Sequence, residues 1–317
     1  MNEFEIIKQF FFSKNKKAIL GIGDDAAIIA PEKNKQISIS TDTLNEGVHF
    51  LKNTKPYFLG WKSLAVNISD ITAMGSIPEY ALLSLSLPKG DKKWLSKFSQ
   101  GFKACAKKYN VELIGGDTTK GPLSINITIL GNAKKGNILK RSNAKVGDDL
   151  WITDEIGYAH LGLLKSLDRL PKVKMSNCLI KKSLEKFNRP QPKHIMMNDL
   201  SPYLHAAIDI SDGFLADLEH ICKSSNVGAV IDVEKIPMHK WFHENNNQEK
   251  ALTGGEDYEI IFTAPEKNRN VIQTYIKKNK LNSKIIGLIK KEKKISLYLN
   301  HTKISLPKMK GFDHFGK

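Results

Sequence analysis

The chain lacks the features that mark a secreted or membrane protein. Its 317 residues include only three cysteines, which are far apart and form no C-x-x-C pair. An odd number without metal-ligand spacing argues against a disulfide framework and a zinc site, so we expect buried, inert thiols at Cys105, Cys178 and Cys222. No apolar run reaches the roughly 18 residues of a membrane-spanning helix. The start, MNEFEII, has no basic region or cleavage site, which favours the first amphipathic helix of a cytoplasmic protein.

Arginine is scarce, although the formal net charge is +16. Nearly all basic residues are scattered lysines, and we find no basic run interleaved with aromatic residues. The lysines therefore favour a solvated surface over a nucleic-acid site. Arginine occurs only as Arg141, Arg169, Arg189 and Arg269. Because the planar guanidinium can bind phosphate through two hydrogen bonds, each of them is a candidate phosphate ligand.

The composition, 41% hydrophobic and 26% charged, is that of a soluble globular protein, and the length suits two domains. In the first part, apolar residues at three- and four-residue spacing predict helices over 59–75 and 92–110. Strand-like runs cover 18–23, 36–41, 80–88 and 123–131. The Gly-, Asn- and Lys-rich stretch 132–149 predicts a linker, and we divide the chain into domains 1–140 and 141–317.

The second domain has the pattern of an α/β domain. It opens with a strand-like run at 149–157 and a helix from about Tyr158 to Leu167. Residues 206–233 follow the order strand, glycine turn, helix, strand, which predicts a compact βαβ unit. Further strands are expected within 252–265, 282–291 and 295–300.

Six segments repeat one arrangement, an apolar, strand-like run that ends in an aspartate among Gly, Ser and Thr. They are GIGDDAAII (21–29), ISTDT (39–43), AVNISDITAMG (65–75), LIGGDTTKGP (113–122), AIDISDG (207–213) and LTGGEDYE (252–259). One such segment would be an ordinary turn. Six at strand ends would bring carboxylates to one end of a sheet, which is how proteins hold several hard cations against phosphates. Segment 65–75 suits a helix at least as well, and a helix would place Asn67 and Asp70 on one face.

Each segment also has a plainer interpretation. Asp24 could cap a helix. Gly115 and Gly116 could offer backbone N–H groups to a phosphate beside Asp117, or form a tight turn. The helix that starts after Gly213 has an N-terminus that favours anions, although the aspartates before it could be simple caps. His49, seven residues after Asp42, would on its own be a structural histidine more often than a catalytic one.

Taken in order, the motifs resemble those of the thiamine-monophosphate kinase family, within the superfamily of aminoimidazole ribonucleotide synthetase. The matching motifs are GIGDDAA, STDT with the later histidine, AVNISDITAMG, IGGDTTKGP, KRSNAKVGD, IDISDG, TGGEDYE and KGFDHF, so the resemblance covers essentially the whole chain. Two other members of the superfamily, selenophosphate synthetase and a hydrogenase-maturation protein, use a cysteine near the N-terminus or at the extreme C-terminus. The first cysteine here is Cys105 and the chain ends in Lys317, so neither thiol chemistry fits.

The resemblance implies an α/β (α+β), two-domain synthetase-like fold. An N-terminal ATP- and metal-binding domain would pair its sheet with a second subunit in a dimer-interface barrel, and a C-terminal α/β domain would cover the site. ATP would lie in the cleft on several Mg²⁺ ions, in a cytoplasmic homodimer that binds no nucleic acid. The family motifs assign metals to Asp25, Ser40, Thr41, Asp42, Asp70, Asp117, Asp209 and Asp212, with the N-terminal aspartates forming one wall. They assign ATP to Gly116, Asp117, Arg141 and Ser211, and thiamine monophosphate to His49, Glu256 and Phe312, where relatives often carry Tyr or Trp.

The implied reaction is direct in-line transfer of the γ-phosphoryl group of ATP to the phosphate of thiamine monophosphate. A phosphate nucleophile is already anionic and needs no general base, so we expect no catalytic side chain beyond metal and electrostatic assistance. Two other classes remain open. One is another superfamily enzyme that activates an amide or carbonyl oxygen with ATP. The other is a basic binding protein whose aspartates form turns or bind Ca²⁺.

Overall fold

The structure is a computed structural model that describes residues 2–307, and in it the chain forms two compact units. The first runs to Ile138 without Ala73–Gly75, and the second holds Ala73–Gly75 and the chain from Leu139 onward. Phe312 lies outside the described residues. Across residues 2–307, none of the helices is both long and apolar enough to cross a membrane.

The first unit is a four-stranded sheet with helices. A short helix, α1 (Glu3–Ile6), continues as a π-helical turn (Ile7–Phe11). Then follow β1 (Lys35–Asn45), α2 (Pro56–Ala73), β2 (Ile77–Leu87), α3 (Lys92–Tyr109), β3 (Glu112–Lys120) and β4 (Ser124–Lys134). The strand order is β1-β4-β2-β3, with β2 and β3 parallel and the other neighbours antiparallel. The predicted helices at 59–75 and 92–110 are confirmed as α2 and α3.

Glycine residues allow α2 and α3 to pack closely. α2 and α3 approach so closely that a Cβ at Gly60 would lie 2.1 Å from the Phe98 carbonyl oxygen, and a Cβ at Gly101 1.8 Å from that of Tyr57. Such backbone contact leaves room only for glycine. Residues 65–73 lie within α2, so the helical alternative for this segment is the correct one, and it places Asp70 on α2.

The second unit is built on a seven-stranded sheet of order β11-β10-β7-β9-β5-β8-β6. Its strands are β5 (Asp149–Ile152), β6 (Ala206–Asp209), β7 (Gly228–Asp232), β8 (Ile260–Ala264), β9 (Lys284–Lys290), β10 (Ile295–Leu299) and β11 (Thr302–Ile304). Its α-helices are α4 (Tyr158–Ser166), α5 (Asn177–Asn188), α6 (His194–Leu200), α7 (Phe214–Ser225), α8 (Lys240–Glu244), α9 (Gln248–Thr253) and α10 (Arg269–Lys278). Only β7 and β10 are parallel neighbours.

Both faces of this sheet are buried around β5, β6 and β8. On β5, Leu150 and Ile152 join a core that includes Phe214 of α7, whereas Trp151 joins a second core with Met197 of α6. A strand that is covered on both sides needs a continuous apolar run, which is the pattern of DLWI.

Three sequence predictions are corrected by the fold. Residues 18–23 form isolated bridges, such as Leu20 with Ile28, because no neighbouring strand pairs with them. The βαβ elements at 206–233 are present as β6, α7 and β7, but β9, β5 and β8 separate the two strands in the sheet. Cys178 is exposed, whereas Cys105 and Cys222 are buried as expected.

The six aspartate segments do not share one position in the fold. Only Asp209 ends a strand; Asp42 and Asp117 lie inside β1 and β3, and Asp70 lies on α2. Segment 21–29 is irregular, and segment 252–259 begins in α9. The idea of six strand ends at one edge of a sheet is therefore wrong.

Candidate functional site

One group of predicted ligands lies between β1 and α2. The Ser40 hydroxyl donates to Asp70 Oδ2 at 2.6 Å. Asp42 lies two residues further along β1 on the same face, since side chains alternate along a strand. Burial raises the pKa of the Asp42 carboxyl, so a cation beside it would be favoured. This face offers oxygen ligands, which suit a hard cation.

Thr41 and Asp117 lie on the opposite face of the sheet. The Thr41 hydroxyl hydrogen-bonds the Thr128 hydroxyl at 3.0 Å and donates to the Ile127 carbonyl at 3.2 Å. Asp117 lies opposite Ser84 of β2, and the register continues across the sheet to Thr43 of β1. Residues that lie opposite one another share a face of the sheet, so the Asp117 side chain is on the same face as Thr41. The single wall of aspartates expected from the sequence is thus divided into two groups.

The loop with Asp25 and the middle of β3 line one cavity of about 810 Å³. Asp24, Asp25, Gly116 and Asp117 all contribute, together with apolar side chains such as Phe4. Gly116 has a φ of 143°, and a Cβ there would lie 1.9 Å from the Leu83 carbonyl oxygen. The structure therefore brings together Asp25, Gly116 and Asp117, three predicted ATP or metal residues.

Glu112 holds the segment that leads into this loop. Its carboxylate accepts the backbone N–H groups of Lys16, Lys17 and Ala18 at 2.8 to 3.3 Å, and a 3.4 Å bond from the Asn15 amide. Burial acts to raise the pKa of Glu112, but these hydrogen bonds outweigh it and lower the pKa. Sequence reasoning missed this role, because a glutamate at the start of a strand carries no motif.

His49 has a local structural contact. Its Nδ1 accepts the backbone N–H of Asn45 at 3.0 Å, in the turn that follows β1. This bond fixes the ring and places the ring proton on Nε2 in the neutral form. A contact with substrate stays a prediction for this residue.

In the second unit, a carboxylate of α7 holds the loop that precedes this helix. Asp217 Oδ2 accepts the backbone N–H groups of Ser211, Asp212 and Gly213 at 3.0, 3.1 and 3.2 Å. Burial, helped by the nearby Asp212, raises the pKa of Asp217 to about 7. Asp217 thus fixes the loop that leads into α7, a role that the sequence signals only through an acidic residue in the first turn of this helix.

The GGED segment is bound directly to the ISDG segment. Glu256 N–H donates to the Ser211 carbonyl at 2.9 Å, and Tyr258 N–H donates to the Ile210 carbonyl at 2.8 Å. A Cβ at Gly255 would lie 2.2 Å from the Ser211 carbonyl oxygen. Within this unit, Ser211, Asp212 and Glu256 are therefore brought together, next to the buried Asp209 at the end of β6.

Arg141 is exposed, in a 3₁₀ turn (Arg141–Asn143). Ser225, at the end of α7, donates its hydroxyl to the Arg141 carbonyl at 2.7 Å and accepts the Ala144 N–H at 3.0 Å. By contrast, the Arg269 guanidinium donates two hydrogen bonds, of 2.7 and 2.8 Å, to the Asp149 carboxylate. Of these two arginines, Arg269 is thus committed to an ion pair, whereas Arg141 is exposed.

Among the residues that the structure describes, no three His, Cys, Asp or Glu side chains form a group that could hold a metal ion. Mg²⁺ commonly takes only one or two carboxylates and completes its shell with water and substrate phosphates. The all-oxygen donor set therefore fits Mg²⁺ held jointly with a phosphate ligand.

The two-unit fold, with its oxygen-rich segments, defines a class that the family models recognise. Residues 23–133 match the model "AIR synthase related protein, N-terminal domain", and residues 145–300 match its C-terminal counterpart. A thiamine-monophosphate kinase from Buchnera aphidicola subsp. Schizaphis graminum is 45% identical over 99% of both chains. The chain belongs to the thiamine-monophosphate kinase family.

Solved structures agree with this assignment. The crystal structure of thiamine-monophosphate kinase from Stenotrophomonas maltophilia K279a has a TM-score of 0.82 and 37% identity, covering 91% of this chain and 92% of that one. AaThiL, solved in complex with AMPPCP and TMP, has a TM-score of 0.77 and 29% identity, covering 90% of this chain and 89% of that one.

Proposed function

We propose that the protein transfers the γ-phosphoryl group of ATP to thiamine monophosphate, giving thiamine diphosphate and ADP. The observation that carries this proposal is full-length similarity to thiamine-monophosphate kinases, including a relative bound to AMPPCP and TMP. The joined Ser211 and Glu256 segments support it, because they place a predicted ATP contact beside a predicted substrate contact. ATP as co-substrate suits the cytoplasmic location expected from the sequence.

Mg²⁺ would be held by oxygen ligands, and it would supply the positive charge that lets one phosphate attack another. The candidate ligands are Asp25, Ser40, Thr41, Asp42, Asp70, Asp117, Asp209 and Asp212. The partial burial of Asp42 supports this role, since it raises the pKa of the carboxyl and a neighbouring cation would favour the ionised form.

Other residues bind and orient the two substrates. Gly116 and Ser211 would contact the ATP phosphates, and the Arg141 guanidinium would bind them through its planar fork. On the acceptor side, Glu256 would pair with the cationic thiamine and Phe312 would stack on it, with His49 as a further contact. No side chain acts as a general base, because the attacking phosphate is already ionised.

We assign residues 1–140 to a domain that binds ATP and metal and forms the dimer. Residues 141–317 form the C-terminal α/β domain that would cover the site. A homodimer would form when the outer faces of two four-stranded sheets close into a barrel. This face carries Ile37 and Ile39, which are 45% and 66% exposed, and Ile39 pairs with Leu130. Exposed apolar side chains on a sheet favour a partner that covers them.

A direct assay tests the proposal. Purified protein, ATP and Mg²⁺ are combined with thiamine monophosphate, and thiamine diphosphate is measured by chromatography. We expect product only with Mg²⁺ and only with the monophosphate, not with unphosphorylated thiamine. ADP release without thiamine diphosphate would instead favour another superfamily activity.

A further inference from the structure

The segment that carries Glu256 has an unusual backbone. Glu256 and Tyr258 have φ values of 76° and 50°, in the left-handed region that non-glycine residues rarely adopt. Such a conformation persists only where the surroundings hold it. The backbone hydrogen bonds to Ile210 and Ser211 hold one side of the segment. The other side is held by side chains of the segment itself.

Two buried carboxylates provide that second attachment. Asp257 accepts the N–H groups of Gly157 and Ala159, at the start of α4, at 2.8 and 3.2 Å. Glu259 accepts the Thr153 hydroxyl at 2.8 Å. Both side chains are buried. Burial disfavours the ionised form of both carboxyls and raises their pKa values, so a neighbouring positive charge would stabilise them as carboxylates.

Lys186 of α5 supplies the charge. Its Nζ lies 3.1 Å from Glu259 and 3.7 Å from Asp154, and its side chain is only 20% exposed. Lys193 binds the other partner, Asp154, at 3.0 Å. Burial acts to lower the pKa of Lys186, but Glu259, Asp154 and more weakly Asp257 raise it, so the lysine stays charged.

We propose that Lys186 is a positioning residue that holds segment 254–259, and with it Glu256, in the conformation that receives the cationic substrate. The inference rests on the proposed function for its kinetic consequence. Its structural part, that Lys186 holds the segment, stands on the contacts of the second unit alone.

The test compares Lys186→Met with Lys182→Met in the full-length protein. Lys182 lies one turn earlier on α5, pairs with Glu155 at 2.7 Å and lies over the Tyr158 ring, so it is a matched control. For Lys186→Met we expect roughly a tenfold rise in KM for thiamine monophosphate, with KM for ATP little changed. Lys182→Met should leave both constants near those of the wild type.

Hydrogen–deuterium exchange of segment 254–259 gives an independent readout without substrate. Its amides at Gly254, Glu256 and Tyr258 are hydrogen-bonded, so loosening the segment should speed their exchange. We expect faster exchange in Lys186→Met and partial return towards wild type when Glu259→Gln is added, since that change removes the uncompensated charge.

Unchanged exchange in Lys186→Met, or equal rises in both KM values, would overturn the positioning role. If the wild type makes no thiamine diphosphate, the proposed function fails while the exchange experiment still decides the role of Lys186. Should Lys186→Met not fold, the double variant and Glu259→Gln alone are each compared with the wild type; exchange of segment 254–259 as slow as in the wild type in both would contradict the proposal.

Discussion

The two aspartates within strands of the first unit, Asp42 and Asp117, allow a direct test of metal binding. Replacing either by Asn keeps the size and removes the charge, so we expect turnover to be abolished with the fold intact. Thiamine diphosphate formation and circular dichroism would be measured for each variant. Asp168→Asn is the control, because Asp168 is exposed and lies at a helix end. Near-normal activity in Asp42→Asn or Asp117→Asn would refute a metal role for that residue.

Asp257 predicts a pH-dependent contribution to stability. Burial raises its pKa from 3.8 to about 7, against the effect of the Gly157 and Ala159 N–H groups. A raised folded-state pKa means that the stabilising contribution is full below pH 3.8 and is lost as pH rises towards 7. Asp257→Asn, which resembles the protonated acid, should therefore gain stability relative to wild type between pH 5 and 7, by at most about 1.4 kcal/mol per pH unit.

Urea unfolding of both proteins at several pH values measures this difference. Only the wild type has an ionisable group at position 257. Its free energy of unfolding should therefore fall relative to that of Asp257→Asn as the pH rises, so the two profiles should converge or cross. Parallel profiles over the whole range would show that Asp257 titrates normally.

At the scale of an element, the end of α7 controls the turn that presents Arg141. Ser225→Ala removes the hydroxyl that joins the Arg141 carbonyl to the Ala144 N–H, so the turn should loosen. We expect a severalfold rise in KM for ATP, with KM for thiamine monophosphate nearly unchanged. Ser224→Ala, at the exposed neighbouring position, is the control, and Ser225→Thr should retain function. Equal ATP constants in the two Ala variants would count against this role.

Sequence periodicity predicted where strands and helices form better than it predicted which elements lie beside them. The strands β1, β2 and β4 and the helices α3 and α4 follow from alternation and helical spacing, because one face of each is buried. The run at 18–23 has the same apolar character, yet it pairs only through isolated bridges. Propensity cannot show whether a partner strand lies alongside, which is a tertiary property.

For the candidate site, too, local motifs were predictable and tertiary contacts were not. The motifs pointed to Ser40, Asp70, Ser211 and Glu256, which the structure places in two bonded groups. The motifs could not show the tertiary hydrogen bonds, such as those by which Glu112 holds residues 15–18. The separation of Asp42 from Asp117 likewise depends on sheet register, which a single sequence does not specify.

For the whole molecule, the exposed face of the first sheet predicts self-association. Ile39→Glu would place a charge in the centre of the proposed interface, so we expect the sedimentation mass to fall from dimer to monomer. Ile195→Glu makes the same chemical change at a 59% exposed position of the second unit, and it should leave the mass unchanged. A wild-type protein that sediments as a monomer would exclude the barrel.

The internal carboxylate at the N-terminus of α7 has a consequence for how ligands are received. Because Asp217 already accepts the three N–H groups of residues 211–213, the loop is held in one shape without a ligand. Under the proposed function, a nucleotide that contacts Ser211 would then lose less affinity to the entropy of ordering the chain. This part of the site would be preorganised for binding.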